Sequence, residues 1–467
     1  MATQWTSDQW AAISSRNQSL LVAAAAGSGK TAVLKERIIE RLLDKDYPLS
    51  VQKLLVTTFT KAAAGEMSSR IGSALADKVD SLSALLEGGT LDSKEKEEVQ
   101  AQRAYLERQL QLLPSAQIST LHSFCQWVIK SYFYHADINP TARIGNDSEM
   151  ALMRTEVLHD LLVEAYEAVG TDPSQDPYHI YALADMFSDD KSDANLERIV
   201  LNIYTFAMAL ANPEKWLRQS LAAYEEVVTK PLLESQWGSY FWQDLGQSLE
   251  QCQSYIEAFQ NLVEQPEGTA CYSAHLDALK ANFAPFWAAY QAGSWQDFHR
   301  ALATYDGKGY KQFRANKETA QVAPELLAQA KTYHEEVKNF LKGLGQSVFM
   351  VGEEAWKSQV EEQLPIIEGL VELTLAFKKA YDKAKHEAGV MDFNDLEHLC
   401  LKLLVKAGTE DQEEPEPSEV ALELQGHFEE IMVDEYQDTS GVQEAIINLI
   451  STERNRFYVG DVKQSIY

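Results

Sequence analysis

Cysteine is scarce in this 467-residue chain. Cys125, Cys252, Cys271 and Cys400 stand far apart with no C-x-x-C spacing. That excludes a disulfide framework and a cysteine zinc site, and makes a reducing cytosol the default. Long apolar runs are missing too. The longest, Leu20 to Ala26, falls far short of the roughly 20 residues that span a bilayer, and only Arg16 precedes it as a basic residue. Neither a transmembrane helix nor a secretory signal fits, so no membrane partner and a cytoplasmic location are expected. Positive charge is the third shortage. Lys and Arg number 41 against 70 Asp and Glu, a net charge of -29. Whole-surface binding of nucleic acid is thereby excluded, because phosphate contacts draw on Lys and Arg. A local groove stays open. Residues 1–70 hold 9 basic and 6 acidic residues, whereas Glu410 to Glu419 hold 6 acidic and no basic ones; Thr409 to Ser418 read as a solvated loop.

What is present suits a globular protein: 45% hydrophobic and 24% charged residues, with length enough for two to four folding units. Short apolar runs at Ser19–Ala24, Lys53–Phe59 and Gln117–Leu121 alternate with amphipathic stretches at Thr31–Leu43 and Ala62–Leu75. Such alternation predicts βαβ units and a parallel sheet. From about Asp147 to His386 the strand pattern gives way to helical periodicity, with Trp216, Trp237, Trp242, Trp287, Trp295 and Trp356 expected in helix–helix contacts. Strand signals return at Glu430–Asp434 and Arg456–Gly460. The expected fold class is α/β: a parallel-sheet domain built from residues 1–135 and 387–467, interrupted by a mostly helical insertion at 136–386. The chain stops at Tyr467 directly after a motif, which reads as a truncation.

The strongest motif is Ala24-Ala25-Ala26-Gly27-Ser28-Gly29-Lys30-Thr31, between a strand and a helix. It has the form of a phosphate-binding P-loop, with Ala24 where that motif begins with glycine. Its glycines let the backbone N–H groups of Ala26, Gly27, Ser28 and Gly29 converge on one anion, and the following helix start adds partial positive charge. Lys30 is placed to reach the β- and γ-phosphates of ATP, and the Thr31 hydroxyl to bind Mg²⁺. The second motif, Asp434-Glu435-Tyr436-Gln437-Asp438, follows a strand. Asp434 suits a second Mg²⁺ ligand, and Glu435, one residue on, suits a base for the attacking water.

Together with Gly460-Asp461-Val462-Lys463-Gln464-Ser465-Ile466-Tyr467, these segments resemble superfamily 1 DNA helicases of the UvrD/Rep/PcrA/RecB type. Thr6–Gln9, Thr58–Met67 and Thr120–Phe124 are similar to further motifs of that group, in the expected order. The tyrosine of DEYQDT and the Val-Lys of GDVKQSIY look most like the AddA branch of the AddAB (RexAB) helicase–nucleases. The motifs cover about the first 125 and last 75 residues; the helical middle matches that family's 1B subdomain by position only.

The resemblance implies a RecA-like motor domain that uses ATP and Mg²⁺ to move along single-stranded DNA and unwind duplex DNA with 3′-to-5′ polarity. It implies a role in double-strand-break repair and recombination, an AddB/RexB-like partner in a heterodimer, and exonuclease activity in a C-terminal part beyond this chain. A UvrD/PcrA-like repair helicase without a nuclease is the alternative. Without a second motor domain and its arginine fingers, the chain alone is expected to turn nucleotide over slowly or not at all. Residue by residue, the family places Gln9 at the adenine edge, although Thr6-x-x-Gln9 also has the form of a helix capping box. Gln464 would sense the γ-phosphate; Asp461 would orient the phosphate loop or a metal-bound water, or cap a turn. Thr58, Phe59, Thr60, Thr120, His122 and Tyr467 are the candidates for gripping a DNA strand by hydroxyls and stacking. Phe59 equally suits a strand-end core position and His122 a helix cap. Lys308, Tyr310, Lys311, Phe313 and Arg314 form a basic-aromatic cluster that suits either duplex DNA or an ordinary surface loop. Asp392-Phe393-Asn394-Asp395-Leu396 is read as a helix cap.

Overall fold

The computed structural model describes residues 5–24, 29–44, 48–88, 91–135, 142–172, 176–189, 192–265, 269–315 and 317–461. Seven strands occur in them: β1 (Leu20–Ala23), β2 (Leu54–Thr58), β3 (Gln117–Thr120), β4 (Arg143–Ile144), β5 (Val390–Met391), β6 (Glu430–Val433) and β7 (Arg456–Gly460). Five of them form one sheet in the order β1-β7-β6-β2-β3, every pairing parallel. The expected α/β class with a helical insertion is what the chain adopts. Strands β4 and β5 make a separate parallel pair.

The composition of the strands explains the order. Every residue of β2 and β6 is buried, as a strand covered on both faces requires. Side chains alternate between two cores. Leu55, Ile431 and Val433 join helices Leu121–Tyr132, Phe393–Leu404 and Gly441–Ile450. Leu54, Val56, Met432, Phe457 and Val459 face the other way, onto helices Lys30–Leu42 and Lys61–Glu87. Because β6 and β7 slot between β1 and β2, the late strands stand mid-sheet beside the early ones. All their C-terminal tips then share one edge, where ligands of open parallel sheets bind. At the opposite end, buried Glu430 pairs with Arg37 and, at 2.7 Å, with Arg41.

Helix starts follow local chemistry. Thr60 accepts the Ala63 N–H, Thr120 that of Ser123, and the segment read as a helix cap is one: Asp392 and Asp395 close a capping box. Helix Lys61–Glu87 runs well past the expected Leu75, and helix Ser93–Leu112 follows it.

The chain forms two compact units, and their limits differ from the expected 136–386 insertion. One comprises 1–173, 189–216 and 374–467; the other comprises 174–188 and 217–373. The physical reason is that the first helices of the middle region belong to the sheet unit's own packing. Tyr204 lies against Phe377 and Tyr381, His398 hydrogen-bonds the Met208 carbonyl, and the Val442 N–H donates to Ala209. The second unit has its own helical core, into which Trp237, Trp242, Trp287, Trp295 and Trp356 pack as expected; Trp216 instead meets Phe206 in the sheet unit. Among the described residues no helix is long and apolar enough to cross a membrane. All four cysteines are free thiols.

Candidate functional site

The strand tips bring the two strongest motifs together. Gly29 has a positive φ of 84°, open to glycine, and helix Lys30–Leu42 begins directly after it. The Lys30 ammonium, largely buried, lies 3.6 Å from Glu435 Oε2. Glu435 itself has φ 53°, a left-handed conformation that costs a non-glycine residue about 1 kcal/mol or more. A network holds it there. Its N–H donates to Asp434 Oδ1 at 3.1 Å, and its carbonyl accepts the Asp438 N–H. Gln437 Nε2 donates to Glu435 Oε2 at 2.8 Å, while Gln437 Oε1 accepts the N–H of buried Asp461 at 2.9 Å. The Ala24 N–H in turn donates to the Gly460 carbonyl, so the tips of β1, β6 and β7 are joined. Burial, and then the Glu435 charge, push the Asp434 carboxyl above its ordinary range, against the opposing pull of Lys30 and Lys35.

Gln9 does one of its two expected jobs visibly. Its Oε1 accepts the Thr6 N–H and its backbone N–H donates to Thr6 Oγ1, closing the capping box. Its Nε2 lies 3.5 Å from where a Cβ on Gly29 would stand, beside the phosphate-loop segment. Thr31 follows Lys30 in the first helical turn. Ala26, Gly27, Ser28, Gln464 and Tyr467 lie outside the described residues. No group of three His, Cys, Asp or Glu side chains suited to a metal ion occurs among the described residues. One carboxylate with one hydroxyl is, however, the sparse protein set that Mg²⁺ takes when phosphates and water complete its octahedron.

Next to the acidic turn is a cavity of about 150 Å³, lined on one side by Thr58, Phe59, Thr120 and His122 and on the other by Asp434, Glu435 and Asp438. Five of the six strand-gripping candidates are described, and they divide by exposure. Phe59 is 71% exposed, which removes the core alternative for it. Thr58 and Thr120 are buried, and their hydroxyls, like that of Thr60, bond within the local turns. His122 caps no helix. Its Nε2 lies 3.0 Å from Glu397 Oε1, and its ring lies against exposed Phe393.

Two participants escape a reading of motifs. Gln437 sits inside a recognised motif, but its link to Asp461 appears only in the fold. Glu397 had one sequence signal: a carboxylate within the otherwise apolar face of helix Phe393–Leu404, between Leu396 and Cys400. In the second unit, the basic-aromatic cluster splits. Tyr310 bonds Tyr305 and Phe313 packs on Tyr272, while Lys308, Lys311 and Arg314 are exposed. The aromatic half is core rather than a stacking surface.

Residues 5–467 match the UvrD/REP helicase N-terminal domain. The AddA subunit of the ATP-dependent helicase/nuclease of Bacillus cereus (strain AH820) is 36% identical over 471 residues, covering 100% of this chain and 35% of the relative. Proteins of the same description from Bacillus thuringiensis (strain Al Hakam) and Bacillus mycoides (strain KBAB4) match with the same identity and coverage. The chain therefore spans about a third of the length of the curated relatives it matches.

Proposed function

The chain belongs to the UvrD/REP helicase family through its N-terminal domain, and on that premise we propose that it is the nucleotide-hydrolysing part of an ATP-driven DNA motor of the AddA helicase/nuclease type. The observation that carries this reading is the meeting of Lys30 and Glu435 at 3.6 Å, from opposite ends of the sequence, at the tips of β1 and β6, the two strands that flank β7 in one parallel sheet. In this reading the sheet-bearing unit is the first motor domain and the helical unit is its 1B-type insertion. The protein acts on single-stranded and duplex DNA in double-strand-break repair, in the cytoplasm, beside an AddB-like partner.

Each residue then has a task. The N–H groups of Ala26, Gly27, Ser28 and Gly29 bind the phosphates, Lys30 neutralises the β- and γ-oxygens, and Gln9 Nε2 meets the adenine edge. Thr31 and Asp434 would hold Mg²⁺, which supplies charge neutralisation at the phosphates when bound. Glu435 accepts the proton of the attacking water. Lys30 leaves Glu435 for the triphosphate, which frees that carboxylate to act as base. Gln464 reports the γ-phosphate. Phe59 and His122 touch the strand through exposed ring surface; Thr58, Thr60 and Thr120 shape the turns and offer backbone, and Tyr467 extends the same track.

In the full-length protein, Lys30→Ala is expected to abolish nucleotide binding. Glu435→Gln is expected to retain it while slowing hydrolysis by about 10²- to 10⁴-fold, the usual worth of a general base. Hydrolysis by Glu435→Gln at the parental rate, measured by phosphate release with single-stranded DNA present, would overturn the assignment.

A further inference from the structure

Glu397 has no part in the roles above, yet it is 4% exposed and meets two residues that line the cavity, His122 and Gln443. One of its oxygens, Oε1, takes two donors from different elements. His122 Nε2 approaches at 3.0 Å from the start of helix Leu121–Tyr132, and Gln443 Nε2 at 2.7 Å. Gln443 is also half of the capping box that starts helix Gly441–Ile450, immediately after the DEYQDT turn: Ser440 and Gln443 exchange backbone-to-side-chain bonds. The chain of contacts therefore runs from exposed Phe393 through His122, Glu397 and Gln443 to the residues that follow Asp438.

We propose that Glu397 is a positioning residue. It fixes the His122 ring against Phe393 and ties it through Gln443 to the acidic turn, so that a strand seated at His122 alters hydrolysis at Glu435. The chemistry suits the task. Glu397 Oε1 already accepts from Gln443, so it meets His122 Nε2 as an acceptor and leaves Nδ1 as the second polar atom of that ring. It also cannot be left with one donor cheaply, because unmatched buried charge is costly. His122 and Gln443 are thus held to one another's positions through a shared acceptor, the contiguous physical link that coupling between sites requires.

This inference rests on the DNA-motor reading, and the test separates the two. ATP hydrolysis by the full-length protein is measured with and without an oligothymidylate strand in Glu397→Ala, Glu397→Leu, Glu397→Gln and Gln443→Ala, alongside strand binding by fluorescence anisotropy. The expected result is an about 10-fold fall in the ratio of stimulated to unstimulated rate in the Ala and Leu variants and in Gln443→Ala. The unstimulated rate and the nucleotide KM should stay within about twofold. Glu397→Gln, which keeps an acceptor oxygen, should recover most of the ratio. Leu fills the volume, so recovery by Leu as well as Gln would show that packing alone matters and overturn the proposal. An unchanged ratio in Gln443→Ala, the variant least able to unfold the core, would overturn it too. A parental protein that binds the strand with no change in hydrolysis, or does not bind it, overturns the motor reading and this inference together.

Discussion

Replacing Gln437 by Leu tests the acidic turn where it is most tightly determined. The substitution preserves approximate volume and removes both polar ends at once. Oε1 no longer accepts the Asp461 N–H, and Nε2 no longer donates to Glu435 Oε2. Loss of a neutral bond is worth about 1 kcal/mol net, and loss of one to a carboxylate about 1.5–3 kcal/mol. Asp461 is buried, so its N–H also faces a desolvation cost, while Glu435 keeps Lys30 and open solvent as partial replacements. The balance is about 3 kcal/mol at most. Part of this appears in urea midpoints. The rest appears as Glu435 relaxing from its left-handed conformation, and at about 1.4 kcal/mol per factor of ten the upper limit is roughly 100-fold in hydrolysis. Nucleotide affinity, which depends on Lys30 and the phosphate loop, should change little. Gly460→Ala attacks the same bond from the other side, since its Cβ would come within 2.8 Å of Gln437 Oε1. The two substitutions should therefore be non-additive. Single-turnover hydrolysis within twofold of the parent in Gln437→Leu would refute the network's role.

Lys30→Ala, despite its effect on nucleotide, should lower stability in urea titrations by no more than about 1 kcal/mol, because its partner Glu435 is partly exposed and lies 3.6 Å away, and such pairs are weak. Glu430→Ala should do the reverse. It strands Arg41 and leaves Arg37 the carbonyls of Ala12, Ile13 and Ser15 and the Phe457 ring, costing about 3–5 kcal/mol in urea titrations while nucleotide binding at the far end of the sheet persists. His334, fully buried in the helical unit between Phe313 and Tyr310, has its pKa pushed down to about 4 by burial, with Glu335 too distant at 3.7 Å to form a hydrogen bond. The unfolded chain gains a proton near pH 6.5 and the folded one does not, so this residue removes stability as pH falls from about 6.5 to 4. His334→Phe should flatten the urea midpoint against pH in that window, and an unchanged slope would refute the burial argument.

The sheet was legible because its signals are local. The apolar runs are short, all five became strands of one parallel sheet, and four of those strands end in or directly before threonine, aspartate or glycine. Caps were legible for the same reason: Thr6 with Gln9 and Asp392 with Asp395 need only their own spacing. The unit boundaries were not. Helical periodicity continues unbroken from the helices that pack against the sheet unit's Phe377 and Tyr381 into those that make a separate core. A period of 3.6 states which face is buried, not what covers it.

The same limit governs the site. Lys30, Thr31, Asp434 and Glu435 could be singled out because motif geometry is written in consecutive residues. The contacts around them are pairings across the chain: Gln437 with Asp461 at the acidic turn and His122 with Glu397 beside the cavity. Glu397 shows what such a pairing does to a sequence reading. On helix Phe393–Leu404 a carboxylate between Leu396 and Cys400 breaks the apolar face and costs stability unless donors meet it, so by itself it looks like an error in the pattern. Two donors do meet it, each from an element that begins at the cavity edge. A polar residue that violates an apolar face is therefore a pointer to a distant partner. Here the violation lies next to half-buried His122, which lines the same cavity as exposed Phe59, the position at which a local rule is broken for a functional reason.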